Sequence, residues 1–346
     1  MAYPFRNLVF EGGGVKGIGY VGAMQVLNAK GILPNIQRVG GTSAGAINAT
    51  LVGLNFSPED TLTVLKALNF KSFLDDDWGV IRDTARLIDD FGWYKGDFFR
   101  NWIAKLIAQK TGNGEATFND VAQMKQQNGF RDLYFIGTNL STGFSEIFSY
   151  EHTPRMCVAD AVRISMSIPL FFASKRSPQG DVYVDGGVLE NYPIRLFDRQ
   201  KYVTTNFFTP PDYQAHNQQL QQQGLDLSPY VYNQETLGFK LDTAQEIAMF
   251  RDHGAPPERP VNDFFDYAWA LIETIMNSQD SYHLESDDWQ RTVYIDTLGV
   301  GTTDFGLNDA TKNALVQSGV ENATKYLAWY DDPNNQPANR PATAGG

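Results

Sequence analysis

A serine and an aspartate stand at two turns of this 346-residue chain where catalysis could take place. Ser43 is the centre of 41-GTSAG-45, a G-x-S-x-G pattern whose small residues allow a sharp turn from a strand into a helix. Such a turn leaves the serine Oγ exposed at the carboxyl end of the strand. The alternative is an ordinary N-cap, since serine is favoured at the start of any helix.

A run of glycines, 11-EGGGVKG-17, follows the first apolar segment and fits two kinds of anion site. Gly12, Gly14 and Gly17 match the G-x-G-x-x-G spacing of dinucleotide-binding loops. That site also needs an acid at the end of the second strand, and the chain has no Asp or Glu between Gly12 and Pro58. A Walker-type phosphate loop is absent as well. These departures argue against a nucleotide.

The second kind of anion is the oxyanion that forms when a serine attacks a carbonyl carbon. The N–H groups of Gly12, Gly13 and Gly14 could donate to it, and glycine lets the backbone approach the substrate closely. Lys16 could add positive potential there. It could equally be an exposed lysine near the start of a helix.

Ser43 needs a base, and two arrangements are open. Asp185 in 182-VYVDGGVLENYP-193 follows a short strand and precedes two glycines. As a base near neutral pH it would need a pKa raised by burial. Asp-Gly is also a strong signal for a type I′ hairpin turn. A Ser–Asp–His triad would instead use His216, His253 or His283, none of which has a recognisable sequence setting.

The elements around these turns alternate between strands and helices. Helices are predicted at Lys16–Lys30, Ala46–Val52 and Val158–Ser167, the last stopped by Pro169. Strands are predicted at Leu8–Phe10, Ile36–Val39, Leu133–Gly137, Val182–Val184, Lys201–Phe208 and Val293–Ile295. Strand–helix–strand crossovers favour a three-layer α/β/α fold with a mainly parallel central sheet. The glycine loop and Ser43 then open on the same edge of that sheet.

Composition limits the classes of function and location. A net charge of −12 argues against a nucleic-acid binder, which needs clustered Lys and Arg. The one cysteine, Cys157, excludes an internal disulfide and favours a reducing compartment. The first strand begins too early for a signal peptide, and no apolar run is long enough to cross a membrane. We therefore expect a cytoplasmic protein, or one exported without a cleaved signal peptide.

Taken together, EGGGVKG, GTSAG and 185-DGG-187 resemble the patatin-like phospholipase family in type, order and spacing. Two longer segments, 91-FGWYKGDFFRNWIAKL-106 and 158-VADAVRISMSIPLFF-172, are similar to family regions as well. The resemblance implies a Ser43–Asp185 dyad without histidine. It also implies that Gly12, Gly13, Gly14, Lys16 and Ala44 form the oxyanion and substrate-binding region. The implied activity is hydrolysis of acyl esters of phospholipids or related lipids through an acyl-enzyme, with no cofactor or metal.

The resemblance covers residues 7–200, which we take as the catalytic core. Residues 201–330 are expected to extend the same domain, and 331–346 to be a disordered tail. A lipid substrate implies transient contact with a membrane surface. Leu170–Phe172 could then line an acyl channel and the aromatic residues of 70–102 could form a lid, although both patterns fit plain core packing. An α/β-hydrolase esterase or a silent lipid-binding module remain the alternatives.

Overall fold

The computed structural model of the protein describes residues 3–69, 72, 92–205, 207–225, 227–243, 246, 261, 264–277 and 287–340. The strands are β1 (Asn7–Phe10), β2 (Arg38–Gly41), β3 (Gly92–Tyr94), β4 (Asp132–Asn139), β5 (Phe144–Ser149), β6 (Leu170–Phe172), β7 (Lys175–Arg176), β8 (Val182–Asp185), β9 (Phe207–Phe208), β10 (Tyr232–Asn233), β11 (Thr236–Asp242) and β12 (Thr292–Asp296). The α-helices are α1 (Gly19–Ala29), α2 (Ala44–Gly53), α3 (Pro58–Ala67), α4 (Asp97–Thr111), α5 (Phe118–Asn128), α6 (Val158–Ser165), α7 (Gly187–Glu190), α8 (Pro211–Gln222), α9 (Phe264–Asn277) and α10 (Asp309–Asp331).

A mixed, mainly parallel sheet flanked by helices organises these elements, as the sequence predicts. The strand order is β12-β11-β1-β2-β4-β8-β7, and β5 also pairs with β4. The five strands from β12 to β4 are parallel, whereas β5, β8 and β7 run antiparallel to their neighbours. β1 is central, so the glycine loop that follows it lies in the middle of the carboxyl edge of the sheet.

The two faces of the sheet contribute to separate hydrophobic clusters. Leu8 and Phe10 point into the larger cluster with α1, α2, α6 and α10, while Val9 between them belongs to the smaller one. Residues 192–202 cover that second face with apolar side chains, namely Tyr192, Ile194, Leu196, Phe197 and Tyr202. Because successive side chains of a strand alternate between faces, both faces are buried and the sheet forms a middle layer.

Most predicted elements are confirmed with small shifts, and one predicted strand is wrong. β2 starts at Arg38 rather than Ile36, because a 3-10 turn occupies Leu33–Asn35. The predicted strand Lys201–Phe208 is reduced to the two residues of β9. There the Glu235 carboxylate accepts the N–H groups of Thr204 and Thr205, which therefore make no ladder hydrogen bonds.

Two segments toward the C-terminus were not predicted as elements. β11 pairs with β1 on the side opposite β2, and the 23-residue helix α10 packs along α1. The polar stretch 214–224 lies mostly in α8, a helix with no buried residues, one of the two options that its composition left open. Of the aromatic stretch 70–102, residues 70–71 and 73–91 lie outside the described residues. Its described end belongs to β3 and α4, where Phe99 is buried and Phe98 is 41% exposed.

The expectation of disorder from residue 331 onward is wrong for residues 331–340. Asp331 ends α10, and the chain after it folds back on the body of the protein. The Ala338 N–H donates to Gln290 Oε1 at 2.6 Å, and the fully buried Asn339 donates from Nδ2 to the Tyr326 hydroxyl at 3.0 Å. Buried polar contacts of this kind hold residues 331–340 in place despite their low-complexity composition. Residues 341–346 lie outside the described part of the chain.

A buried ion network joins the second-face segment to the C-terminal part of the chain. The Arg291 guanidinium is fully buried and donates to both carboxylate oxygens of Asp198, each at 2.7 Å. It also pairs with Asp288, which is 2% exposed, and Asp288 in turn accepts from Arg195 at 2.9 Å. A charge that is taken out of water must keep its partners, because an unpaired buried ion is costly.

We expect Asp198→Asn to lower the free energy of unfolding by about 3 kcal/mol, because it leaves Arg291 buried with half of its carboxylate partners. Urea denaturation followed by circular dichroism measures the loss. Asp132→Asn is the matched control, since the Asp132–Lys125 pair is partly exposed and should contribute no more than about 1 kcal/mol. Equal losses in the two variants would contradict the role given to the Arg291 network.

Candidate active site

Ser43 occupies a sharp turn between β2 and α2. Its φ of 54° and ψ of −124° lie outside the regions that non-glycine residues favour, and its side chain makes no capping hydrogen bond to α2. The flanking glycines are needed for space. A Cβ on Gly45 would lie 2.3 Å from the Phe10 carbonyl oxygen, and one on Gly41 would lie 2.5 Å from the Gly45 backbone. Ser43 is therefore not an ordinary N-cap serine.

Asp185 ends β8 at the level of Ser43. Gly41 of β2 pairs with Phe135 of β4, and Asp185 pairs with Gly137, two residues farther along β4. Ser43 likewise lies two residues beyond Gly41. The next residue, Gly186, has a φ of −61° and leads into α7, so the Asp-Gly pair forms no type I′ hairpin turn.

Burial dominates the electrostatics of Asp185. The side chain is fully buried, and this desolvation raises the pKa of Asp185 to about 7. The Gly187 N–H donates to Oδ1 at 2.8 Å, and together with the nearby Ser43 hydroxyl it moderates the rise by stabilising the charged form. The other oxygen, Oδ2, has no hydrogen-bond partner among the described residues. A carboxylate with a pKa near 7 is suited to act as a general base near neutral pH.

The Ser43 hydroxyl donates to the Met166 sulfur, with 3.5 Å between Oγ and Sδ. A thioether is a weak acceptor, so this contact holds the hydroxyl only loosely. The Asp185 carboxyl is close enough for the Ser43 hydroxyl to help lower its pKa, and its Oδ2 has no hydrogen-bond partner among the described residues. A carboxylate oxygen is a much stronger acceptor than a thioether.

The glycine loop supplies N–H groups beside Ser43, although one of those that were predicted already has a hydrogen-bond partner. Gly12 lies against Ser43, since a Cβ there would be 3.1 Å from Ser43 Cβ. Its N–H, however, donates to the Asn191 carbonyl at 3.0 Å, so Gly12 would have to give up that bond to serve as an oxyanion donor, and its place in the oxyanion and substrate-binding region stays a prediction. The N–H groups of Gly13, Gly14 and Ala44 have no hydrogen-bond partner within the described ranges.

Lys16 lies along the same loop and is half-buried. Its Cε would be 3.4 Å from a Cβ on Gly13, and its charge helps to lower the pKa of the Glu246 carboxyl. The side chain thus adds positive potential near the loop, one of the two uses that the sequence left open. Its part in binding substrate remains a prediction.

Sequence reasoning missed a buried ion cluster that supports the loop. The Lys240 ammonium lies 2.7 Å from Asp242 Oδ1 and 3.2 Å from Glu11 Oε1, and Glu11 Oε2 accepts the Leu241 N–H at 2.7 Å. Glu11 immediately precedes the glycines, so the cluster ties them to β11. The sequence signal that could have revealed this cluster is a lysine and an aspartate in the otherwise apolar run 236-TLGFKLD-242.

The histidines bring no third member to the pair within the part of the chain that the structure describes. His216 lies on the exposed helix α8, where its ring packs 4.9 Å from the ring of Tyr230. His253 and His283 lie outside the described residues. The structure therefore gives the triad no support from His216.

One group of side chains in the described chain has metal-binding donor types. Ligand atoms of Glu115, Cys157 and Asp160 lie within 4.8 Å of one another. The Arg100 guanidinium contacts both carboxylates and already supplies a positive charge there. A cation would have to displace this arginine, so the group fits an ion pair better than a metal.

The predicted channel segment 170–172 is divided between surface and core. Leu170 has a φ of 63° and is 42% exposed, whereas Phe172 is buried. Phe171 lies between them and stacks on Phe305 with ring centroids 5.6 Å apart. Leu170 is therefore at the surface, Phe171 is partly buried against the core, and Phe172 belongs to the core.

The chain is similar to several known proteins in sequence and in fold. The chain is 29% identical over 335 residues to the uncharacterized protein YqhO of Bacillus subtilis, covering 93% of this chain and 98% of that protein. It is 26% identical to the probable lipid hydrolase 463L of Invertebrate iridescent virus 6, covering 56% of this chain and 63% of the relative. Among solved structures, VipD from Legionella pneumophila has a TM-score of 0.57 at 16% identity, over 94% of this chain and 67% of VipD.

Within the described residues, no helix has both the length and the apolar character needed to span a membrane.

The family model for patatin-like phospholipases matches residues 8–198, which is more than half of the chain and contains the glycine loop, Ser43 and Asp185. The chain therefore belongs to the patatin-like phospholipase family.

Proposed function

We propose that this protein is a serine acyl hydrolase that cleaves carboxylic esters of lipids with Ser43 as nucleophile and Asp185 as its base. The observation that carries the proposal is the fully buried Asp185 carboxylate, with an unfilled oxygen, beside a serine held in a strained turn. Strained backbone persists where the surroundings enforce it, and it is concentrated at functional sites.

Each step of the proposed reaction has a candidate group among the described residues. The Asp185 carboxylate takes the Ser43 proton while Oγ attacks the ester carbonyl carbon. The N–H groups of Gly13, Gly14 and Ala44 are available to the oxyanion that develops. Asp185 then returns the proton to the departing alcohol, leaving an acyl group on Ser43. A water then gives a proton to Asp185 and attacks the acyl carbon. Asp185 passes this proton to Ser43 Oγ as the bond between Oγ and the acyl carbon breaks, which releases the fatty acid and restores the serine.

The lipid nature of the substrate is supported by family membership and by the apolar side chains near the dyad. Met166 contacts the nucleophile, and Leu170 and Phe171 follow it along the chain toward the surface. An acyl chain bound along these residues would keep its apolar surface away from water. We propose phospholipids or related acyl-ester lipids as substrates, bound by transient contact with a lipid surface.

We expect Ser43→Ala and Asp185→Asn each to reduce ester hydrolysis by about 10³-fold or more, because each removes one half of the nucleophilic unit. Fatty acid released from phosphatidylcholine vesicles, identified by mass spectrometry, measures the activity. Asp181→Asn is the matched control, since Asp181 is an acid near the start of β8 that contacts Asn139 rather than Ser43. Failure of a fluorophosphonate to label Ser43 in the wild-type protein would indicate a silent binding module.

The rate should depend on the ionisation of Asp185. Only the carboxylate accepts the Ser43 proton, and its pKa is about 7. We expect kcat/KM to fall about tenfold per pH unit below this value and to level off above it. A water-soluble short-chain ester is the substrate of choice, because it removes any effect of pH on a lipid surface. A flat profile from about pH 5.5 to 8 would exclude Asp185 as the base.

The same pKa implies that Asp185 destabilises the fold. Its pKa is about 7 in the folded protein against 3.8 ordinarily, so the folded state binds the proton more tightly and stability falls as the pH rises between these values. We expect Asp185→Asn to raise the free energy of unfolding by up to about 4 kcal/mol at pH 8 and by little at pH 4. Urea denaturation at both pH values, with Asp181→Asn alongside, tests this. A loss of stability at pH 8 would contradict it.

A further inference from the structure

Three successive residues at the end of α6 each contact one member of the dyad. The Ser165 hydroxyl oxygen accepts the Ser43 N–H at 3.0 Å. The Met166 sulfur accepts the Ser43 hydroxyl, and the Ser167 carbonyl accepts the Asp185 N–H at 2.8 Å. Ser165 and Ser167 are fully buried and Met166 is 6% exposed. One short segment therefore reaches both the nucleophile and its base.

The segment is itself fixed by a buried guanidinium. Arg163 is 1% exposed and donates to the Ser167 hydroxyl. It also donates to the carbonyls of Lys95 at 2.6 Å, Gly96 at 3.1 Å and Ala173 at 3.0 Å. These bonds hold the end of α6 to the chain on both sides of it, so residues 165–167 have little freedom to move.

We propose that Ser165, Met166 and Ser167 form a brace that positions the dyad, and that Ser165 is its decisive residue. The inference rests on the proposed function and extends it to residues that do not react. Ser165 is a positioning residue, because it touches the backbone of the nucleophile and not the substrate.

The physical argument concerns the strained turn. Ser43 is the N-cap of α2, so no helical carbonyl accepts its N–H, and the Ser165 oxygen supplies the acceptor. Without that oxygen the N–H would be buried and unsatisfied, which favours relaxation of the turn. Relaxation would move Ser43 Oγ and the adjoining Ala44 N–H together. A small misplacement of a reacting atom is sufficient to lower the rate greatly.

The test is a graded series at position 165. Ser165→Ala removes the acceptor, and Ser165→Cys replaces it with a weaker one of similar size. We expect the maximal rate of Ser43 modification by a fluorophosphonate to fall about tenfold or more in Ser165→Ala, with Ser165→Cys between it and the wild type. The probe concentration giving half the maximal rate should stay unchanged, since no substrate contact is removed.

Ser149→Ala is the matched control, because Ser149 is also fully buried and its hydroxyl bonds to His152 at 2.8 Å, outside the site. Urea denaturation confirms that each variant is folded. A wild-type rate in Ser165→Ala, or the same slowing in Ser149→Ala, would overturn the brace. Should Ser165→Ala not fold, the Ser165→Cys rate decides by itself.

Amide hydrogen exchange separates this inference from the proposed function. The Ser43 N–H should be protected in the wild type and should exchange faster in Ser165→Ala but not in Ser149→Ala. This readout needs no activity, so it tests the brace even if the fluorophosphonate fails to label the wild-type protein, which would refute the proposed function alone. Unchanged protection of Ser43 in Ser165→Ala would refute the brace.

Discussion

The strained turn at Ser43 is the constraint on which the rest of the site depends. A non-glycine residue with positive φ costs on the order of 1–3 kcal/mol and persists only when its surroundings enforce it. The enforcement is visible on both sides of the turn. Gly45 lets α2 approach β1, the Thr42 hydroxyl donates to the Glu190 carbonyl at 2.9 Å, and Ser165 accepts the Ser43 N–H. The partners of these contacts come from different parts of the fold, so Ser43 is positioned by tertiary contacts as well as by the small residues of its own motif.

A second cost lies at Asp185, where burial opposes ionisation. A fully buried carboxylate with one bonded and one unfilled oxygen is less stable than the same group in water, and its pKa of about 7 expresses this. The two costs have a common origin. Both Ser43 and Asp185 are kept in states that would relax in isolation. In the proposed reaction, proton transfer between them would therefore need little reorganisation. The buried network around Arg163 holds the segment that contacts both residues, and the Lys240 cluster holds the start of the glycine loop.

The sequence allowed prediction of those parts of the candidate site whose geometry depends on neighbouring residues in the chain. The turn at Ser43 was predictable because glycines on both sides of a serine let a helix pack directly against the strand before it. The turn after Asp185 was predictable because the two glycines that follow it let the chain turn at the end of a strand. The individual hydrogen bonds were not predictable. Whether the Gly12 N–H meets an oxyanion or the Asn191 carbonyl depends on how a segment 179 residues away packs. The hydrogen bond between Ser165 and the Ser43 N–H was unpredictable for the same reason, since a buried serine near a helix end can bond to many different partners.

The pairing of β11 with β1 was the largest omission, and it has a physical cause. The run 236-TLGFKLD-242 contains a lysine and an aspartate, which suggest a half-exposed strand or a loop, yet both side chains are buried. They can be buried because Lys240 pairs with Asp242 in its own strand and with Glu11, which directly follows the neighbouring strand β1. Burial of charged side chains in β11 thus becomes favourable only when β11 packs beside β1 and Glu11. Glu11, which pairs with Lys240, directly precedes the glycine loop. The ion cluster that makes β11 hard to predict from the sequence therefore also holds the loop whose N–H groups are proposed to bind an oxyanion.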